Sequence, residues 1–153
     1  MLRAFCLLVF CTILGCATIE TSPIYASRIN GIDAPLLSLQ HMVSGFLPVG
    51  VRTVSPNGRE FLSKYFVIGE KEYKPADDAL DRYYVQIIVL GDRRPYDIEI
   101  TATREKRVLR GEDFTYVITG HDRRLAKELV TQLREQLTKR REDLNIIDDF
   151  RVF

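Results

Sequence analysis

Few residues of this chain combine the types and spacings that catalysis needs. The two histidines, His41 and His121, stand apart, whereas nucleophilic catalysis needs a base within hydrogen-bond reach of the nucleophile. The acidic pairs Asp77-Asp78 and Asp148-Asp149 lack the spaced oxygen ligands of a calcium loop. Gly-rich phosphate loops and His-Glu-x-x-His motifs do not occur in the sequence. We therefore predict no catalytic residue, no metal site and no cofactor.

An arginine-containing turn, Asp92-Arg93-Arg94-Pro95-Tyr96, is the best candidate for binding. Two guanidinium groups beside an aromatic ring can bind a carboxylate or a phosphate with paired hydrogen bonds. Arg123 and Arg124 would join this turn if the last helix begins at the same end of the sheet. The alternative is a polar hairpin turn in which Asp92 neutralises its own arginines, and the sequence leaves both interpretations open.

The N-terminal residues are organised like an export signal. A cationic start precedes an uncharged, apolar run from Ala4 to Leu14, which is the order found in secretory signal peptides. The run ends in Ile13-Leu14-Gly15-Cys16, and this motif resembles the lipobox of bacterial lipoproteins. The resemblance implies that residues 1–15 are removed. It also implies that Cys16 carries a diacylglycerol thioether and that its new amino group is acylated, as with palmitate.

The residue after the cysteine adds an expected destination. In the lipoprotein family, Ala17 rather than Asp at this position implies sorting to the outer membrane of a double-membraned bacterium. One alternative is an ordinary signal peptide cut after Ala17, since Gly15 and Ala17 are both small; it would give an exported soluble protein. A retained spanning helix is the other alternative, although the uncharged run ends at Ile19 and is short for one.

The composition restricts the classes of partner. The chain has 153 residues, which is the length of a single domain. Loss of residues 1–15 removes one charge, Arg3, and leaves 21 basic and 21 acidic residues. This balance provides no general attraction to nucleic acid. Cys6 and Cys11 leave with the signal, so we expect neither a disulfide nor a cysteine-based metal site.

Residues 16–35 are predicted to form the lipidated cysteine and a tether, because no hydrophobic period is sustained there. Residues 36–153 are predicted to form a single domain. Its first segment, residues 36–43, fits a short helix or a strand. Ser55-Pro56-Asn57-Gly58 then predicts a tight hairpin, because proline presets φ and glycine accepts a positive φ.

Alternating hydrophobicity predicts strands over residues 49–54, 59–68, 83–90, 96–109 and 114–119. Apolar residues on both faces of the strand at 83–90 indicate a central strand that is covered on both sides. In the strand after it, one set of side chains is predicted to point inward and the other outward. The inward set is Tyr96, Ile98, Ile100 and Ala102, and the outward set is Asp97, Glu99, Thr101 and Thr103.

A long helix is predicted from residues 120–122 to about Arg141. Its apolar stripe repeats every four residues and comprises Leu125, Ala126, Leu129, Val130, Leu133 and Leu137. We therefore predict an α+β fold in which an antiparallel sheet of four to five strands carries this long C-terminal helix on one face. The apolar tail at residues 146–153 is expected to pack on the sheet or to present a docking strand.

The anchor motif, the missing catalytic set and the apolar tail favour a non-catalytic cell-envelope protein. We expect it to be attached to membrane lipid through Cys16 on the periplasmic side of the outer membrane. There it would act as an accessory or partner-binding subunit of an envelope complex. The alternative is a binder of an anionic glycolipid or a cell-wall polymer through Arg93 and Arg94. Fold class alone does not decide between these functions.

Overall fold

The computed structural model describes residues 26–70 and 72–149, and for residues 141–149 it describes the backbone alone. The lipobox with Cys16, the residue Ala17 and the end of the apolar tail at 150–153 lie outside the described residues. In chain order the elements are β1 (Ser27–Ile32), α1 (Leu36–Phe46), β2 (Val51–Val54), β3 (Glu60–Ser63), β4 (Phe66–Ile68), β5 (Tyr73–Pro75), β6 (Asp81–Leu90), β7 (Tyr96–Arg110), β8 (Asp113–His121) and α2 (Arg123–Asp149).

The strands form one sheet, and every pairing in it is antiparallel. Its centre is the pair β6–β7, which stays in register from Asp81 opposite Lys106 to Leu90 opposite Asp97. β1 and β8 pair with successive parts of β7, while β3 and β4 pair with β6, and β2 and β5 lie outside them. The predicted α+β class and the central position of the 83–90 strand are confirmed.

The described residues contain eight strands, so the predicted four to five is too low. β1 lies inside the segment predicted as a tether, where buried Ile29 pairs with Ile98. The strand predicted at 59–68 is divided, because the chain leaves the β3 ladder after Ser63 and re-enters the sheet at Phe66. Such short strands are not detectable by periodicity, since three or four residues do not establish an alternation.

Both helices follow from their apolar spacing. The ambiguous segment at 36–43 is helical, and α1 buries Leu39 and Val43, which lie four residues apart on one face. α2 buries the predicted stripe, with Leu137 partly covered. The α2 backbone continues past the predicted end at Arg141 and includes residues 146–149, which were assigned to the tail.

The helices and one face of the sheet share a single hydrophobic core. Tyr96, Ile98, Ile100 and Ala102 all belong to this core, as predicted. The opposite side of β7 differs from expectation, because Glu99, Thr101 and Thr103 are buried instead of pointing into solvent. Glu99, for example, accepts a 3.0 Å hydrogen bond from Arg28. We call this side of the sheet the helix-free face, and it carries a layer of polar and aromatic side chains.

Candidate functional site

An alternating stack of arginine and tyrosine side chains covers part of the helix-free face. The Arg52 guanidinium carbon lies 4.1 Å from the ring centroid of Tyr65. The guanidinium carbon of Arg82 lies 3.4 Å from the centroid of Tyr65 and 3.3 Å from that of Tyr116. Cations over aromatic faces are attracted by the ring quadrupole, and this attraction grows when the pair is desolvated. The stack therefore joins β2, β6, β8 and the segment between β3 and β4.

Arg82 is the centre of this arrangement, and its hydrogen bonds are directed at protein groups. Its Nε forms a 2.9 Å ion pair with Glu105, and its Nη1 donates to the Asp77 carbonyl oxygen at 2.5 Å. The Tyr116 hydroxyl donates to the carbonyl oxygens of Asp77 and Ala79 at 3.0 and 3.1 Å. These bonds attach the loop before β6 to both β6 and β8. Arg82 therefore positions the loop before β6 against β6 and β8.

Next to the stack, large apolar side chains face solvent on the C-terminal part of β7, on β8 and in the loop before β6. Four of them form what we call the hairpin patch: Leu80 (71% exposed), Leu109 (63%), Phe114 (60%) and Ile118 (59%). The register pairs Leu109 with Phe114 and Glu105 with Ile118. Since Glu105 also lies opposite Arg82, the side chains of Leu109, Phe114 and Ile118 occupy the helix-free face. Leu80 comes directly before β6, and its carbonyl oxygen accepts a 2.7 Å hydrogen bond from the amide of Arg107. Arg107 covers only one ring face, lying 4.1 Å from the Phe114 centroid.

β8 also offers an unpaired backbone edge. Among the strands that the structure describes, it pairs with β7 alone. The run from Phe114 to Gly120 contains no charged residue and no proline. Natural proteins usually protect an edge strand with charged residues or proline, because an unprotected edge accepts another strand. The edge of β8 and the hairpin patch together form a surface that is suited to strand addition.

The predicted arginine turn is exposed and lies at the opposite end of β7. Arg93 and Arg94 are exposed, and Arg94 forms a 3.7 Å ion pair with Asp33. Tyr96 is buried toward the helices, and the guanidinium carbon of Arg59 lies 5.8 Å from its ring centroid. The ring is therefore occupied by a different arginine and by the core. The turn presents two guanidinium groups without the predicted aromatic partner.

The structure does not bring Arg123 and Arg124 to that turn. Both begin α2, directly after Asp122, whose amide donates to the carbonyl oxygen of Ala102 at 2.9 Å. Ala102 lies six positions after Tyr96 on β7, which corresponds to about 20 Å along a strand. The two arginine pairs are too far apart to hold one small anion together.

Arg124 instead lines a cavity of about 590 Å³ between the β4–β5 hairpin and the start of α2. Tyr73 and Glu128 also line it. Burial raises the pKa of the Tyr73 hydroxyl above 10.0, and the negative charge of Glu128 raises it further. Tyr73 and Glu128 therefore face the same cavity.

The histidines occupy unrelated positions. His41 is exposed on α1, while the Nδ1 of His121 lies 3.2 Å from the hydroxyl oxygen of Thr103. Among the side chains of residues 26–70 and 72–140, no three His, Cys, Asp or Glu groups are placed so that they could hold a metal ion. Among the helices described, none is long and apolar enough to cross a membrane.

Sequence reasoning missed the hairpin patch and the arginine–tyrosine stack. A partial signal for the patch exists, because Leu109 and Phe114 flank the predicted turn at 110–113. The stack has no local signal, since its four residues meet only through the register of the sheet. No protein family, curated protein or solved structure matches this chain.

Proposed function

We propose that this chain is a non-catalytic cell-envelope protein that docks a protein partner through the hairpin patch and the edge of β8. The observation that carries the proposal is the large exposure of Leu109, Phe114 and Ile118 on one face of β7 and β8, with exposed Leu80 in the loop before β6. Single exposed apolar residues are ordinary on protein surfaces, whereas several on one face mark an interaction site.

The β8 edge indicates how the partner would bind. A strand that pairs with β8 gains backbone hydrogen bonds, which provide affinity regardless of sequence. Alternate side chains of that strand would extend over the helix-free face and cover Phe114 and Ile118. Apolar burial contributes roughly 25 cal/mol per Å², and aromatic anchors such as Phe114 dominate interfaces of this kind. The expected partner segment is an extended, apolar strand.

The lipid anchor remains part of the proposal. Cys16 would hold the chain in the outer membrane with the domain on the periplasmic side, and Ala17 would specify that membrane. The test is the intact mass of the protein extracted from bacterial membranes, beside a Cys16→Ser variant. A mass of residues 16–153 plus acyl groups, lost in the variant, supports the anchor. A mass without lipid that begins at Thr18 contradicts it.

Partner docking is tested by co-purification from crosslinked bacterial cells. We expect a Leu109→Ser, Phe114→Ser double variant to lose its main crosslinked partner. The matched control is Leu37→Ser, because Leu37 is 65% exposed but lies on α1, away from the patch. An unchanged partner in the double variant, or an equal loss in the control, would rule out the hairpin patch as the docking surface.

A second candidate function is binding of an anionic glycolipid or wall polymer at Arg93 and Arg94. It is favoured by the exposure of both side chains and by the long 3.7 Å contact of Arg94 with Asp33, which is itself exposed. Exposed ion pairs of this kind contribute little, so a phosphate can replace Asp33 at small cost. An Arg93→Ala, Arg94→Ala variant should then lose binding to vesicles that contain a phosphorylated glycolipid. Unchanged binding would exclude the turn.

A further inference from the structure

A groove separate from the hairpin patch lies on the helix side of the molecule. It is formed by β1, the connection from β1 to α1, one side of α1 and the second half of α2. Its volume is about 450 Å³, which lies within the range of small-molecule sites. None of the functions proposed above uses it.

The floor of this groove is apolar. Ile29 and Leu39 line it from the core, and both are buried. Ile32, Met42 and Leu137 also line it and are only partly covered by the core. The unbranched thioether of Met42 can adapt its shape to an alkyl chain. An apolar chain placed here would remove these side chains from water.

The groove also carries an excess of positive charge. Arg134 and Arg140 line it from α2, where Arg134 and Leu137 are neighbours on the helix surface. Among the side chains that the structure describes, neither arginine takes part in an ion pair. Among the described residues that line the groove, Asp33 is the one acidic residue, and it contacts Arg94. Two guanidinium groups therefore line the groove beside its apolar floor.

We infer that this groove binds a monomeric anionic amphiphile, specifically a long-chain carboxylate. The alkyl chain lies over Ile32, Met42 and Leu137, and the carboxylate accepts hydrogen bonds from Arg134 and Arg140. Guanidinium groups match the planar carboxylate geometrically. This ligand satisfies both features of the groove, because a neutral lipid would leave the cations unpaired and a small anion would leave the apolar floor in water.

The test uses the full chain in bacterial membranes and a photoactivatable probe, hexadecanoic acid that carries a diazirine and an alkyne. After irradiation, we expect the labelled peptides to contain residues 29–42 or 134–140. Arg134→Gln with Arg140→Gln should reduce labelling roughly fivefold to tenfold, since each exposed charge pair contributes modestly. The matched control is Arg123→Gln with Arg124→Gln, which removes the same charge from the same helix and should label normally.

A second variant tests the apolar floor without changing charge. Ser38→Phe places a ring in the groove, where Ser38 is a lining residue, and should also reduce labelling. Labelling of the hairpin patch instead of the groove would overturn the inference. An equal loss of labelling in the two arginine double variants would also overturn the inference, because the loss would then reflect the net charge of the protein. The alcohol analogue of the probe should label the groove less than the acid does, and equal labelling would contradict the role of the arginines.

Discussion

Arg82 and Tyr116 are in contact although a whole strand lies between them. The guanidinium carbon of Arg82 on β6 lies 3.3 Å from the ring centroid of Tyr116 on β8, and the two side chains meet over β7. The ion pair with Glu105 on β7 lies beneath this contact. β6, β7 and β8 are therefore joined by side chains as well as by backbone hydrogen bonds, and β8 is held with its apolar side chains on the helix-free face.

Removal of Arg82 should destabilise the domain strongly. Arg82→Ala leaves the largely covered Glu105 carboxylate, whose side chain is 13% exposed, without its cation. We expect a loss of about 2–4 kcal/mol in the free energy of unfolding. The measurement is urea denaturation. The matched control is Arg104→Ala, which breaks the exposed 3.0 Å pair with Asp81 and should cost less than about 1 kcal/mol. Similar losses in the two variants would contradict the role given to Arg82.

Asp122 should contribute to the stability of α2 as its N-terminal cap. Its Oδ1 accepts a 2.9 Å hydrogen bond from the amide of Leu125. Asp122→Ala removes that acceptor and should lower the free energy of unfolding by about 0.5–2 kcal/mol. Asp122→Asn keeps an oxygen at the same place and should cost much less. The cap is not important if both variants unfold like the parent protein.

Tyr73 should make the protein less stable in alkali. Burial, followed by the charge of Glu128, raises its pKa above 10.0. The folded protein therefore keeps a phenolic proton that the unfolded chain loses, and stability falls as the pH rises from about 10 through the raised pKa. Tyr73→Phe should remove this part of the pH dependence.

The measurement for Tyr73 is the free energy of unfolding of the parent and of Tyr73→Phe over an alkaline pH series. The control is Glu128→Gln, which removes the second cause and should bring the titration of Tyr73 closer to its ordinary value. Identical alkaline slopes for the parent and Tyr73→Phe would contradict the assignment.

The parts of the fold that are predictable from the sequence are those with long, regular patterns. The stripe that contains Leu125, Leu129 and Leu133 marks α2, and the alternation from Tyr96 to Ala102 marks the inner face of β7. The same alternation misplaces Glu99 and Thr101, because their burial depends on Arg28 and other neighbours that come from distant parts of the chain. The alternation in the sequence shows which residues are polar. Whether a polar residue is buried depends on a hydrogen-bonding partner that the local sequence does not contain.

The candidate site is less predictable for a related reason. Arg93 and Arg94 are adjacent in the sequence, so the sequence alone indicates this pair. Their distance from Arg123 depends instead on where β8 ends along β7, because α2 begins directly after β8. Leu109, Phe114 and Ile118 share one face because β7 and β8 pair in this register. A surface of this kind is a property of the topology of the sheet rather than of any segment.

The docking claim is tested most directly by a photocrosslinking amino acid at position 114 of the full chain in living bacterial cells. We expect one main protein adduct, because Phe114 is 60% exposed in the hairpin patch and lies on β8, which pairs with β7 alone among the described strands. The same amino acid at position 37, on the exposed part of α1, should give no such adduct. The absence of a protein adduct at position 114, or the same adducts at both positions, would contradict partner docking through this surface.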